Sequence, residues 1–287
     1  MIIGRGRRLR LKIRAGEFTS QTAGIAPGLV QANLAILPAR YADDFDKFCA
    51  ANPQSCPLLF RGQPGNPRLD PLGAGIDVRH DLPAYHVFRD GTFAGEVTDI
   101  AAIWRHDLVT YMLGCSYTFE NALQEKGVRL LHIEAGCDVA IYRTSRPSIR
   151  VGPFGGELIV SMRPIHPDQV DLACAVTAEF PIVHGAPVHI GDPADLGIKS
   201  LGHPDWGPPP HVPKGWVPMF WACGVTAQSA LLAAGIPLAI THKPSHLLIT
   251  DLVGDDFHRR VPGKTFSLAV QSLLTVSQGN CFDACTI

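Results

Sequence analysis

The chain has 287 residues, 46% hydrophobic and 18% charged, a balance that supports a large buried core and excludes a disordered chain. Twenty-five Lys and Arg stand against 26 Asp and Glu, so the net charge of −1 excludes any overall attraction to nucleic acid or to an anionic membrane. The eight cysteines form no CxxC pair and are expected to be thiols of a reducing, cytoplasmic compartment, not a disulfide framework.

Residues 1–14 carry five Arg, one Lys and no acid. Leu9, Leu11 and Ile13 alternate with Arg10, Lys12 and Arg14, which fits an edge strand, while a solvated basic extension over 1–12 is the other reading. No long apolar stretch follows, so a secretory signal is not expected. After an opening loop comes the apolar run LVQANLAILP. Residues 39–50 have a helical pattern, with Tyr41, Phe45, Phe48 and Cys49 on one face, that stops at Asn52-Pro53. Residues 52–75 form a Pro- and Gly-rich loop, and YHVF reads as a strand ending in an Asp90-Gly91 turn.

A helix is expected from Asp99, with Ile103, Trp104, Leu108, Tyr111 and Met112 on one face. A second runs from Ser116 to Lys126 and stops at Gly127. RLLHIE, VAIYRT and GELIVSMRP read as strands, and 168–180 as a helix. Loops and short strands fill 181–218. Then MFWACGVT is a strand carrying Cys223 to its end, AQSALLAAG a helix and PLAITH a buried strand. The uncharged run Trp216–His242 is broken by Pro, Gly, Thr, Gln and Ser, and reads as core and not as a membrane span. Strands alternating with helices imply a mainly parallel or mixed α/β sheet. No internal repeat is visible.

Two segments concentrate polar groups in apolar surroundings. PIVHGAPVHIGDP (181–193) supplies His184, His189 and Asp192 among glycines and prolines, and THKPSHLLITD (241–251) supplies His242, His246 and Asp251. The bland alternative is a set of core histidines satisfied by backbone carbonyls. Four imidazoles and two carboxylates are enough donors for a divalent metal, but Pro244 breaks the helix that a His242/His246 pair would need, so no metal is expected. Cys115, ahead of a helix, and Cys223, at a strand-to-helix junction beside Gly224, are either reactive thiols or inert buried ones. Arg143 and Arg163, each closing an apolar strand, are carboxylate clamps or structural ion-pair partners. GPFGG precedes a strand, not a helix, so no phosphate-cradling loop is expected.

The strings RAGEFTSQTAGIAPGLVQANLAILP (14–38), NPQSCPLL (52–59), IDVRHDLPAY (76–85), GCSYTFE (114–120), YRT (142–144), VSMRP (160–164), PIVHGAPVHIGDP, MFWACGVT and ITHKPSHLLITD together resemble the YcsI/YcgI-type hydro-lyases, the D-glutamate cyclase family. The resemblance spans about residues 13–253. It implies an α/β fold with a mixed sheet and helices, in two intertwined subdomains, one α/β and one smaller α+β, over 13–254. An atypical tail follows over 255–287. It implies a carbon–oxygen hydro-lyase acting on a small carboxylate or amino acid, with D-glutamate cyclisation to 5-oxo-D-proline as the specific reaction.

For that reaction His189 or His242 is the candidate base and His184 the acid. Arg143 or Arg163 would hold the carboxylate, and Asn33 or the backbone around Gly185 the oxyanion. Asp192 and His246 are further candidate substrate contacts, and Cys115 and Cys223 candidate proton carriers at carbon. No cofactor is expected, nor a nucleic-acid or membrane partner, and the chain is expected to be a homo-oligomer. A carboxylate-binding protein without turnover, and a metal-dependent hydrolase using the histidine clusters, are the alternatives. The chain departs from the family pattern at Ser245, where glycine is usual, at Leu247 in place of methionine, and at Ala227 in place of proline.

Overall fold

The computed structural model of the protein describes residues 3–254, so the tail expected over 255–287 lies outside the described residues. The first element is a helix, α1 (Ile3–Arg14), and not the edge strand that the alternation suggested. A strand would set Arg10, Lys12 and Arg14 side by side. In the helix Arg10 and Arg14, one turn apart, share a face, and Lys12 turns to solvent. Arg10 is buried and bonds both oxygens of Asp251 at 2.9 and 3.0 Å, while Arg14 pairs bidentately with Asp81. Carboxylates far along the chain therefore decide the conformation of this segment.

The chain continues through β1 (Leu29–Pro38), a 3-10 turn at 39–41, α2 (Ala42–Ala51), β2 (Leu58–Arg61), the hairpin β3 (Tyr85–Arg89) and β4 (Thr92–Val97), β5 (Leu108–Gly114) and α3 (Tyr117–Glu125). It then forms α4 (Leu131–Glu134), β6 (Ala140–Pro147), β7 (Glu157–Ile165), a 3-10 turn at 167–169, α5 (Val170–Ala178), β8 (His189–Ile190), β9 (Val217–Ala222), α6 (Val225–Ala233), β10 (Ala239–His242) and β11 (Leu248–Val253). One sheet has the order β2-β5-β1-β10-β3-β4, with β11 also on β1, and the other β6-β7-β9-β8. The α/β class with helices on two sheets is what the chain adopts. Every strand pair among the described residues is antiparallel, so the expected parallel pairing is not found.

Two further expectations are overturned. The helix expected from Asp99 is a 3-10 turn at 101–103 followed by β5, which pairs along its whole length with β1, from Leu108↔Pro38 to Gly114↔Ala32. Leu108–Gly114 is apolar on both faces because both are covered, and such a run has no period to read. RLLHIE is not a strand: its core is the short helix α4. β1 is buried at every residue, one face against Leu59, Tyr85 and Met112, the other against Phe45, Tyr111 and Leu231.

The structure contains a repeat that the sequence hides. β1, the turn 39–41 and α2 recur as β7, the turn 167–169 and α5, and Asn52-Pro53 recurs as Phe180-Pro181. β5 and α3 recur as β9 and α6, each helix closing on a left-handed glycine, Gly127 and Gly235. The order β2-β5-β1-β10 is matched by β8-β9-β7-β6. Even a side-chain bond repeats: Thr118 Oγ1 accepts from the Gln31 amide at 3.2 Å, and Thr226 Oγ1 from the Ile159 amide at 3.0 Å. The two halves exchange parts. α3 follows a strand of the first sheet, yet buries Phe119 and Leu123 against Trp221, Met219 and α5 of the second. α6 leaves the second sheet and buries Ala230 and Leu231 against Phe45 and Tyr111 of the first.

Removing one partner of a buried ion pair leaves the other charge uncompensated. Arg10→Ala is expected to lower unfolding stability by about 3 kcal/mol, and Arg10→Met combined with Asp251→Leu by much less. Denaturant unfolding of the two variants checks this. Equal losses would show that an uncompensated Asp251 charge is not the cause of the loss.

Candidate functional site

The sheets meet where the two strand-to-helix corners face each other. Cys115 and Ser116 join β5 to α3, and Cys223 and Gly224 join β9 to α6. Asn33 on β1 spans them: its amide donates to the Gly114 carbonyl at 2.6 Å, and an added Cβ on Gly224 would lie 2.3 Å from the same nitrogen. The glycine at 224 thus admits Asn33. Gly114 is equally confined, since a Cβ there would fall 1.9 Å from the Ile182 carbonyl. Burial pushes the Cys115 thiol up to about 12 and the Cys223 thiol up to about 11, so both are protonated near neutral pH. The Asn33 amide is taken up by Gly114, and the Gly185 amide by the Phe180 carbonyl at 3.0 Å.

Arg163 on β7 is fully buried and carries its charge into this junction. Its guanidinium bonds Ser161 Oγ at 3.0 Å, Ser116 Oγ at 3.1 Å and, through two nitrogens, Glu120 Oε1 on α3. It lies over the rings of Phe119 and Trp221, centroids 5.3 and 5.4 Å away. Burial pushes the Glu120 carboxyl up, but the Arg163 charge and the His132 hydrogen bond outweigh it and hold the group below its ordinary value. His132 Nε2, on α4, lies 3.0 Å from the same Glu120 oxygen. Its Nδ1 is buried and has no hydrogen-bond partner.

His132 and Glu120 line a cavity of about 300 Å³ beside α3. Tyr117, Asn121 and Gln124 line the helix side, and Gln31 and the loop before β1 the opposite side. Asp138 lines it too, and accepts from Ser245 Oγ at 2.8 Å. Ser245 has a left-handed φ of 64°, the conformation that glycine adopts freely. Its carbonyl accepts from the Thr22 amide at 2.8 Å, so the turn is held from both sides. Sequence reasoning missed His132, because RLLHIE reads as a strand, and it missed Asp138. Glu120 was legible only as part of GCSYTFE.

The histidines singled out from sequence divide. His184, left-handed at φ 87° and buried, has Nδ1 2.8 Å from the Gln54 carbonyl. His242 Nδ1 accepts from the Leu34 amide at 3.1 Å, with the Gln228 amide 3.2 Å away. Burial pushes His184 down to about 4 and His242 down to about 3, so both rings are neutral near pH 7. Both reach the neighbourhood of β1, one beside Gly114 and the other at Leu34. His246 Nδ1 lies 2.8 Å from the Pro244 carbonyl. His189 and Asp192 sit on and after β8, where His189 Nε2 meets the Asp192 carbonyl at 2.8 Å and Asp192 Oδ1 caps the next turn. Arg143 is exposed, stacks on Trp206 and pairs with Glu157 at 3.3 Å and Asp205 at 3.4 Å. None of His189, Asp192, His242, His246 and Arg143 lines the α3 cavity. Among the described residues no three His, Cys, Asp or Glu are grouped as a metal site, and no helix is long and apolar enough to cross a membrane.

Comparison with known proteins gives the chain's family. The family described as D-glutamate cyclase matches residues 109–251, from β5 through β11, and so includes Glu120, His132, Asp138 and Arg163. A Dinoroseobacter shibae protein named "Putative hydro-lyase" is 52% identical over 247 residues, covering 86% of this chain and 82% of the relative. The chain belongs to the D-glutamate cyclase family. A "Putative hydro-lyase" from Bordetella petrii is 52% identical over 250 residues, covering 87% of this chain and 95% of its own. Membership in the D-glutamate cyclase family places the chain among the lyases. A nitrogen repressor-like protein, MJ0159, from Methanococcus jannaschii is 12% identical over 86% of this chain and 97% of its own, with a TM-score of 0.37. A likeness that slight carries no argument.

Two outcomes follow from these environments. His184 and His242 have folded values below the ordinary 6.5, so their contribution to stability is complete above about pH 6.5 and is lost as pH falls toward 4 and then 3. Denaturant unfolding at several pH values is expected to show that acid loss, and a shallower one in His242→Gln. An unchanged slope would mean that His242 is not held neutral by the fold. At Ser245, Ser245→Ala keeps the left-handed strain and loses the hydroxyl, whereas Ser245→Gly loses the strain as well. The glycine variant is expected to melt higher than the alanine variant, by about 1 kcal/mol of stability. Equal melting would remove the strain argument.

Proposed function

We propose that this chain removes water from a small amino acid or carboxylate in the cavity along α3, with D-glutamate cyclising to 5-oxo-D-proline as the specific reaction. The observation that carries the reading is the cavity itself. It is of a size for one small ligand, the α3 and α4 side of its wall lies inside the family match while the 21–31 side lies before it, and an ionised buried carboxylate, Glu120, stands in its wall.

Lactam formation needs an amine brought onto a carboxyl carbon. The C–N bond forms and one C–O bond breaks, its electron pair leaving with the oxygen. Two protons pass from the ammonium to that oxygen, which departs as water, so no oxidant, reductant or second substrate is required. Holding both ends of a five-carbon chain together in one cavity supplies much of the acceleration. Asp138 and Glu120 favour the ammonium end, and the amide of Gln124 suits a carboxylate as a neutral donor. Arg163 supports the site from behind. Its donors are taken up by Glu120, Ser116 and Ser161, so it fixes the cavity wall and does not clamp substrate.

D-Glutamate and related amino acids incubated with the protein are expected to lose primary amine and yield the cyclised product. Asp138→Asn is expected to lower kcat/KM by at least about tenfold, as loss of one charged substrate contact does. Binding of these acids with no product at any pH would favour a carboxylate-binding protein instead.

A further inference from the structure

His132 stands apart from every other histidine of the described chain. One ring nitrogen meets a buried carboxylate that is itself fixed by a buried arginine, and the other is buried with no partner in the wall of the cavity. Glu120 is held ionised, so it accepts and Nε2 carries the proton. Nδ1 is then the ring atom left without a partner and able to take a proton. A buried imidazole nitrogen without a partner is costly to leave so, and because the residue lines the cavity, a ligand there would satisfy it once the ring tips toward the open space.

Resting on the dehydration reading above, we infer that His132 is the proton carrier of the reaction. Its Nδ1 takes a proton from the substrate ammonium as the amine attacks. The same nitrogen then gives that proton to the carboxylate oxygen, which leaves as water once it has also received the second amine proton. The ring ends each cycle as it began. Glu120 is a positioning residue that fixes the ring and offsets its transient positive charge, and Arg163 keeps Glu120 in place. The substrate class follows from the same geometry: a short acid carrying an amine within ring-closing distance of a carboxylate. His132 is the basic side chain among the residues lining the cavity, so it is the group that can follow both reacting ends.

The titratable groups that share the cavity wall with His132 are Glu120 and Tyr117 on α3 and Cys137 and Asp138 on the segment after α4, with Arg163 behind Glu120. The Tyr117 phenol is pushed well above its ordinary value by burial and then by the Asp138 and Glu120 charges, so it does not titrate near neutral pH.

The test is the pH dependence of turnover of D-glutamate by the full chain, wild type against His132→Gln. Glutamine can still donate to Glu120 but cannot carry a proton. The expected result is a kcat lower by roughly 10²–10⁴ with KM little changed and the acidic limb of the profile gone. In Glu120→Gln the limb moves to lower pH. A His132→Gln enzyme within about tenfold of wild type, with its acidic limb intact, overturns the inference and leaves the dehydration reading standing. Should the wild type turn over none of the acids, that reading fails, and ring ¹⁵N signals of the wild-type protein titrated with D-glutamate and 5-oxo-D-proline decide the rest. A shift at His132 Nδ1 supports its role as the ligand-facing nitrogen, and no shift overturns it. The ring signals also serve if the variants do not fold.

Discussion

The buried pair of Arg163 and Glu120 is the interaction on which the rest depends. It ties α3, which issues from the first sheet, to β7 in the second. Two charges taken from water cost several kcal/mol each, and close hydrogen-bonded geometry is needed to offset that cost. Here the guanidinium is met by a carboxylate, two hydroxyls and two aromatic faces, so its burial is compensated on every side. A hydrophobic pair of similar volume would serve packing as well or better. The ion pair instead holds a carboxylate ionised deep in the molecule, beside an imidazole, in a cavity wall.

Much of the fold was legible in the sequence because local signals agreed with the final contacts. The run 39–50 shows its apolar face and its Asn52-Pro53 stop, and Gly127 ends α3 with positive φ. The Asp90-Gly91 turn has φ of 48° and 77°, as a tight hairpin demands. The failures share one cause, tertiary contact overriding local pattern. Residues 108–114 are apolar on both faces because another strand and two layers of core enclose them. α1 alternates like a strand, yet its arginines answer carboxylates more than sixty residues away. The repeat was hidden because the halves share positions and bonds but few residue types.

The candidate site was half legible. Cys115, Cys223, Asn33, Arg163 and His184 do gather where the sheets join, but each has a structural partner, and burial holds both thiols protonated. A glycine precedes or follows each of those thiols, at Gly114 and Gly224. The space is filled by Asn33 at one corner and the Ile182 carbonyl at the other. His132 carried no signal of its own, since a single helical turn of four residues gives no period. What distinguishes it is a bond to a side chain twelve positions earlier, which only the fold reveals. Ser245 shows the reverse case: a departure from a family pattern provides the hydroxyl that bonds Asp138 at the cavity.

The exchange of helices between halves bears on how the chain is made. α3 leaves the ribosome with the strands of the first sheet, but Phe119 and Leu123 bury against α5 and β9, which are synthesised some fifty to a hundred residues later. The first sheet in turn waits for α6, β10 and β11 to cover and complete β1. Neither half can close a core alone, so nascent chains expose apolar surface until nearly all of the described sequence has emerged. Folding is then dominated by contacts distant in sequence, which form slowly and keep apolar surface exposed for longer.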